Sequence, residues 1–331
     1  MSPSLAAAPF WIRHDPPQVP PRLSGGHVAI GNFDGVHRGH RLVLETARDR
    51  AHTLRRPAIA LTFEPHPRTF FRPDRPVFRL TQPETKIELL RRLGLDGAAV
   101  LTFDEALAGL AAEDFVRRVL VERLAARVVV VGYDFHFGKG RAGSPQMLEE
   151  LGRRLGFETV VVAPVGGFDP VSASAIRNHL AAGRIAEANR LLGYRWFVQG
   201  TVTPGEKRGR TLGYPTANIA LDPACRLMHG IYAVRAAIAD APGTLFDGVA
   251  SFGRRPTFDD GAPLLEVFLF DFSGDLYGRT LEVEFLALLR PEERFDSAEA
   301  LVAQMDRDSE AARAVLADAG ATEDEVPSML E

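Results

Sequence analysis

The chain reads as an α/β domain with a doubly wound parallel sheet, followed by a small antiparallel β-barrel domain with a C-terminal helix. Three observations predict this. From His27 to about Gly193, short apolar runs alternate with helical patterns. After Gly193 the apolar runs succeed one another with only turn residues between them. One long helical pattern then closes the chain. Alternation of the first kind suits strands buried on both faces beneath crossover helices. Succession of the second kind suits an antiparallel sheet or barrel.

The elements follow in order. Residues 1–25 are rich in proline and small residues and read as a flexible arm. Their apolar piece is short and has no basic leader, unlike a signal peptide. His27 to Ile30 reads as a buried strand, and the residues after Gly39 as a helix with Leu42, Val43, Thr46 and Ala47 on one side. Strands are expected at Ala58–Phe63, Ala98–Phe103, Arg127–Gly132 and Glu158–Ala163. Helices are expected at Glu84–Leu93, Ala112–Leu124 and Pro145–Leu155, the last with Ser144 as its cap. Two short helices, Ser174–Ala182 and Arg184–Leu192, each stop at a glycine suited to a C-terminal cap. Trp196–Val202, Gly230–Ile238, Phe246–Phe252, Leu264–Phe272 and Thr280–Leu289 read as the second set of strands. The final helix takes its cap from Asp296 and Ser297 and repeats Leu301, Met305, Ala312 and Leu316 at helical spacing. The boundary is expected near residue 185, giving segments 1–25, 26–185 and 186–331.

Length and composition bound the function. The 331 residues suffice for two domains, with 46% hydrophobic and 25% charged residues. A net charge of -4 offers no broad attraction to nucleic acid or an acidic membrane. No apolar stretch reaches the roughly 18 residues that a spanning helix needs. A single cysteine, Cys225, precludes an internal disulfide and fits a cytoplasmic setting. Only Lys86, Lys139 and Lys207 are lysines, so side-chain contacts to phosphate fall mostly to arginine.

The densest chemical signal is Gly31-Asn32-Phe33-Asp34-Gly35-Val36-His37-Arg38-Gly39-His40. A glycine-bearing strand-to-helix turn offers backbone N–H groups and the positive end of a helix dipole, which together bind phosphate. His37 and His40, three apart, share a face and can reach one polyphosphate. Gly39 removes a side chain where a nucleotide approaches. Two surface histidines or two metal ligands are the alternatives, the latter without further ligands at suitable spacing.

The other dense stretch runs from Gly205 to Asn218. Gly205, Gly209 and Gly213 let backbone N–H groups close around phosphates, with Arg210 among the basic groups. Thr216 and Asn218 offer neutral oxygens to one side of an extended segment and suit a magnesium ion carried by nucleotide phosphates. A tight hairpin with a solvated basic loop accounts for the composition equally well. Glu266 lies inside the apolar run Leu264–Phe270, where a charge is costly without a partner or a task. It is either a base for an alcohol attacking phosphate or an outward-facing glutamate on an edge strand. The run Gly132 to Gly140 is no P-loop: five residues separate its glycines before Lys139, and Gly140 replaces the hydroxyl.

Together these stretches resemble the bacterial bifunctional riboflavin kinase/FMN adenylyltransferase (FAD synthetase) family, from about residue 26 to about residue 315. The first half is similar to the nucleotidylyltransferases through His37-Arg38-Gly39-His40, Thr62-Phe63-Glu64-Pro65-His66-Pro67 and Gly132–Gly138. The second half is similar to riboflavin kinase through Gly209–Asn218, Glu266, Asp275-Leu276-Tyr277-Gly278-Arg279 and Arg290–Phe295. One departure is Ser172-Ala173-Ser174-Ala175-Ile176-Arg177, where the superfamily signature has a hydroxyl at the position of Ala173. The missing hydrogen bond is worth about 0.5–1.5 kcal/mol and weakens the first half without abolishing it.

The resemblance implies two reactions with riboflavin, FMN and ATP as small-molecule substrates and Mg2+ as cofactor. Segment 26–185 would be the FMN adenylyltransferase and 186–331 the riboflavin kinase. In the kinase, Glu266 would accept the hydroxyl proton, Thr216 and Asn218 would hold magnesium, and Gly205, Gly209, Arg210 and Gly213 would cradle phosphate. Arg279 and Arg294 would contact flavin. In the adenylyltransferase, His37, His40, Gly31, Asn32, Phe33, Asp34, Gly39, Ser172, Ser174 and Arg177 would face ATP. Phe63, His66, Phe71 and Asp134 would face the flavin. The alternatives are a working kinase beside a weakened adenylyltransferase, and a flavin-binding sensor without catalysis. Oligomeric state is not legible.

Overall fold

The computed structural model describes residues 9–166, 171–205, 213–241, 243–254, 263–318 and 326–330. Packing divides the chain into two compact units. Residues up to 77 with 81–172 form the first, and residues 78–80 with those from 173 onward form the second.

The first unit is built on six parallel strands: β1 (Trp11–His14), β2 (His27–Ile30), β3 (Ala58–Glu64), β4 (Gly97–Thr102), β5 (Val128–Gly132) and β6 (Glu158–Val162). Their spatial order is β1-β4-β3-β2-β5-β6. Strands β2 and β5 are apolar and buried at nearly every position, as a sheet covered on both faces requires. After β4 the chain crosses over β2 to lay down β5, so the winding direction reverses beside β2. In such sheets the ligand crevice opens at that reversal, beyond the carboxyl ends of the strands.

Helix α1 (Arg38–Thr53) follows β2 and buries Val43, Leu44, Ala47 and Ala51. Leu42, expected on that stripe, is exposed. Short helices α2 (Pro67–Phe71), α4 (Glu105–Ala108) and α5 (Ala112–Phe115) and the longer α3 (Pro83–Arg92) and α6 (Pro145–Leu155) complete the cover. Ser144 caps α6 by accepting from the Met147 N–H at 3.3 Å. The expected helix over 112–124 is α-helical only in its first turn and continues as a π-helix, Val116–Arg123, that buries Val116, Val119 and Leu120.

The segment expected as a flexible arm is folded in its described part. Trp11 to His14 add to the sheet edge beside β4, and Val19 and Leu23 enter the core. Proline content conceals this strand, because Pro16, Pro17 and Pro20 stand outside the hydrogen-bonded ladder.

The second unit is a closed barrel of six antiparallel strands. They are β7 (Phe197–Thr203), β8 (Ala217–Ala220), β9 (Gly230–Ile238), β10 (Leu245–Arg254), β11 (Pro263–Leu269) and β12 (Thr280–Pro291). Their order around the barrel is β10-β11-β8-β7-β12-β9. Strand β8 is four residues long and follows a run of polar and turn residues, so it carries no strand signal of its own. Its neighbours β7 and β11 supply its pairing.

Helices α7 (Ala173–Ala181) and α8 (Ile185–Leu192) also belong to this unit, although the expected boundary lay near 185. Asn189 explains α8: its amide donates to the Phe285 carbonyl on β12 and its oxygen accepts the Trp196 N–H. The C-terminal helix (Ala298–Asp318) is capped by the Ser297 hydroxyl, which accepts from the Ala300 N–H. It buries Ala312 and Leu316 against Ala233 and Phe270 of the barrel. Asp308 on this helix accepts two bonds from the Arg290 guanidinium, at 2.9 and 2.8 Å.

Candidate active sites

In the first unit, parallel pairing places the ends of β2, β3, β4 and β5 on one edge of the sheet. The turn Gly31–His37 leaves β2, Phe63, His66 and Phe71 lie at and after the end of β3, Phe103 follows β4 and Asp134 follows β5. Residues a hundred positions apart thus lie after the carboxyl ends of neighbouring strands.

The turn is built from unusual backbone. Phe33 (φ +49°), Gly35 (φ +78°) and Val36 (φ +35°) are left-handed. A branched residue such as Val36 adopts that region only where its surroundings impose it. The surroundings are explicit: the buried Asp34 carboxylate accepts the Thr81 N–H at 3.1 Å, and the Thr81 hydroxyl accepts the Gly35 N–H at 3.0 Å. The Phe33 ring lies beneath Gly31, where any Cβ would come within 2.9 Å of it.

His37 stands just before α1 as its cap, with Nδ1 accepting the His40 N–H at 3.3 Å. The two imidazoles stack, 3.7 Å between centroids and 17° between planes. Phe33 holds His40 from the side, edge to face at 5.4 Å. Gly39 is confined too, since a Cβ there would lie 3.3 Å from the His37 ring.

Beneath the turn lies a cluster that sequence reasoning passed over. Lys86 on α3 is buried, and its ammonium donates to the Glu64 carboxylate at 2.6 Å, the Thr62 hydroxyl at 3.1 Å and the Asn32 carbonyl at 3.3 Å. The Thr62 hydroxyl donates to the same Asn32 carbonyl. The available signal was a lysine in a chain that otherwise uses arginine, on a helix facing β3.

The expected flavin contacts separate by burial. Phe63 is in the core, with its ring 6.1 Å from Phe103 and 6.5 Å from Phe115. Phe71 is 65% exposed and packs edge to face on Phe70 and Phe103. His66 caps α2 by accepting the Arg68 N–H, and Asp134 is exposed. Ser172 is exposed and directly precedes α7, and Ser174 is exposed on its first turn. The Arg177 guanidinium donates to the Phe78 carbonyl at 2.6 Å within the second unit.

In the barrel, register gives Glu266 its neighbours and its face. Glu266 is directly opposite Asn218 across β11 and β8, and Asn218 is opposite Thr203 across β8 and β7. Opposed residues share a face. On β11 the buried set is Leu265, Val267 and Leu269, so Glu266 faces outward, half-buried, in a barrel that has no edge strand. Thr216 precedes Asn218 by two positions.

Asn218 is buried, and its Oδ1 has no hydrogen-bond partner among the described residues. A Cβ on Gly205 would press on the Asn218 amide, nearest its Nδ2 and within 2.9 Å of Cγ and 3.0 Å of Oδ1, so the amide occupies space that a side chain at 205 would take. Gly213 (φ +85°) turns the chain into β8. Gly209 and Arg210 lie outside the described residues. Tyr214 links this segment to the C-terminal helix through a hydrogen bond to Asp306 and packs on Phe268. Burial and then the Asp306 carboxylate push the Tyr214 phenol above its ordinary range.

Arg279 is held beside β7 by backbone pairing with Val202, next to Thr203. Its guanidinium binds Asp240, which holds that carboxyl below the usual range. Arg294 is exposed beyond the far end of β12.

The class of protein is a transferase, on two scaffolds: a glycine-bearing turn before a helix on a parallel sheet, and a carboxylate opposite an amide on a barrel. Comparison with known proteins makes the class specific. Residues 20–174 match the FAD synthetase family and residues 192–316 match riboflavin kinase. The bifunctional riboflavin kinase/FMN adenylyltransferase of Pseudomonas fluorescens is 42% identical over 90% of this chain and 95% of its own. Those of Haemophilus influenzae and Escherichia coli K12 are 39% and 37% identical, over 88% and 91% of this chain and 94% and 95% of their own. A crystal structure described as a macrolide-efflux protein from Streptococcus pneumoniae superposes with a TM-score of 0.80 at 30% identity, over 91% of this chain and 98% of that one. The chain belongs to the bifunctional riboflavin kinase/FMN adenylyltransferase family. No helix among the described residues is long and apolar enough to cross a membrane.

Proposed function

We propose that the family's two reactions divide between the sites described above. In the barrel, Glu266 accepts the proton of the ribityl hydroxyl as that oxygen attacks the γ-phosphorus of ATP and ADP leaves. Thr216 and Asn218 would hold magnesium, with Gly205 and Gly213 beside the phosphates; the roles expected of Gly209 and Arg210 fall outside the described residues. The observation that carries this reading is the register of Glu266 opposite Asn218, with the buried Asn218 oxygen unsatisfied. A hard neutral oxygen of that kind suits magnesium, which keeps several waters and takes few protein ligands. When bound, the ion offsets phosphate charge. Positioning and charge stabilisation carry most of such a reaction. Arg279 and Arg294 supply flavin contacts.

In the first unit, FMN attacks the α-phosphorus of ATP and pyrophosphate leaves. The FMN phosphate is already anionic, so no strong base is needed. His37 and His40 stabilise charge on the ATP phosphates beside the turn Gly31–Asp34, whose Phe33 N–H makes no hydrogen bond among the described residues, and the close approach at Gly39. Ser172, the last residue of this unit, adds a phosphate contact. His66, Phe71 and Asp134 line the flavin side, and Phe63 supports it from the core. On this reading the functional domains are 26–185 and 186–331; the FAD synthetase match ends at 174 and the riboflavin kinase match begins at 192. The setting is cytoplasmic, and partners are small molecules, with neither nucleic acid nor membrane among them.

The test is to incubate the chain with ATP and magnesium and either riboflavin or FMN, then separate flavins by chromatography. FMN followed by FAD is expected from riboflavin, and FAD from FMN. FMN alone from the first mixture, and nothing from the second, favours the kinase with a weakened adenylyltransferase. Tight flavin binding without turnover favours the sensor.

A further inference from the structure

The buried cluster beneath the phosphate turn has no counterpart in the chemistry just assigned. A buried ion pair is weak evidence of stability, because desolvation offsets much of the attraction between the charges. Lys86 and Glu64 could be replaced by apolar side chains if packing were their only task. What distinguishes the cluster is its fourth member, the Asn32 carbonyl, which accepts from both the Lys86 ammonium and the Thr62 hydroxyl.

That carbonyl shares a peptide plane with the Phe33 N–H. In a trans peptide the two groups point in opposite directions. Fixing the carbonyl toward the buried ammonium therefore fixes the N–H away from it. Among the described residues the Phe33 N–H makes no hydrogen bond, whereas the neighbouring Gly31 N–H is spent on Leu61. The left-handed conformation that begins at Phe33 continues the same turn. Backbone of this kind forms concavities lined by N–H groups that receive anions.

We propose that Lys86 is a positioning residue for adenylyl transfer: by holding the Asn32 carbonyl inward, it aims the Phe33 N–H outward at the phosphates of ATP. Glu64 balances the ammonium, and Thr62 doubles its hold on the carbonyl. Lys86 itself touches neither substrate. The inference rests on reading the first unit as the adenylyl-transfer site.

The experiment must separate aiming from mere support. Lys86→Met alone strands the Glu64 carboxylate, so a loss of activity could follow from instability. Lys86→Met/Glu64→Gln removes both charges together. We expect this double variant to melt closer to wild type than the single one and to phosphorylate riboflavin within about two-fold of wild type, an internal control for folding. FAD formation from FMN should nevertheless fall about 10- to 100-fold in kcat/KM for ATP, with KM for FMN little changed, as expected when a phosphate contact is misaimed. A double variant whose FAD formation matches wild type overturns the inference, and so does a loss confined to KM for FMN. If the double variant fails to fold, Thr62→Val loosens the same carbonyl while leaving the ion pair. A raised KM for ATP supports the proposal there, and an unchanged one refutes it. A wild-type chain that makes no FAD overturns the reading of the first unit and this inference with it. A wild-type chain that makes FAD beside an equally active double variant overturns the inference alone.

Discussion

Substituting alanine for Gly205 tests the barrel site through one methyl group. Gly205 is not in the left-handed region, so alanine imposes no backbone strain. Its Cβ would come within 2.9 Å of Asn218 Cγ and 3.0 Å of Oδ1, where ordinary contact begins at 3.4 Å. The Asn218 amide must therefore move by about 0.5–1 Å, and overpacking costs about 1–3 kcal/mol. A shift of that size in a group that orients reactants is worth on the order of 10- to 100-fold in rate. Riboflavin phosphorylation should fall by that factor, read as FMN formed per minute at saturating magnesium. FAD formation from supplied FMN should stay near wild type, because it occurs on the other scaffold. If a folded Gly205→Ala chain phosphorylates riboflavin within about two-fold of wild type, the position of the Asn218 oxygen does not matter and the magnesium assignment fails.

Glu266→Gln should lower FMN formation by about 10²- to 10⁴-fold, the usual worth of a positioned base, while FAD formation from FMN persists. His37→Ala should do the reverse, and loss of both reactions in either folded variant contradicts two separate sites. Ala173→Ser restores a hydroxyl at the start of α7 and should raise FAD formation about 2- to 13-fold, equivalent to about 0.5–1.5 kcal/mol, with no change leaving that hydroxyl without a role. Glu284 is buried on β12 and accepts bonds from Ser328 and the Met329 N–H; burial nevertheless pushes its carboxyl above the ordinary glutamate range. Its contribution to stability is therefore greatest below that range and is lost as pH rises through the raised value. Urea melts of Glu284→Gln across that window should show a flatter fall with pH than wild type, and parallel curves would show that burial does not govern this carboxyl.

The alternation of apolar runs with helical patterns up to Gly193, and their uninterrupted succession afterwards, determined both fold classes, because strand burial and helix amphipathicity are properties of neighbouring residues. The turn Gly31–His40 was equally legible, since its glycines, capping histidine and following helix are consecutive in the chain. Strand β1 and strand β8 were not: each is four residues long and owes its existence to a partner distant in sequence. Only the tertiary structure set Asn218 opposite Glu266, because cross-strand register depends on how the barrel closes and a slip of one residue would turn either side chain to the other face. The same holds for Lys86, whose ammonium meets the Asn32 carbonyl only once α3 is laid against β3. Local chemistry is written in neighbouring residues, whereas the pairing of distant groups is decided by packing.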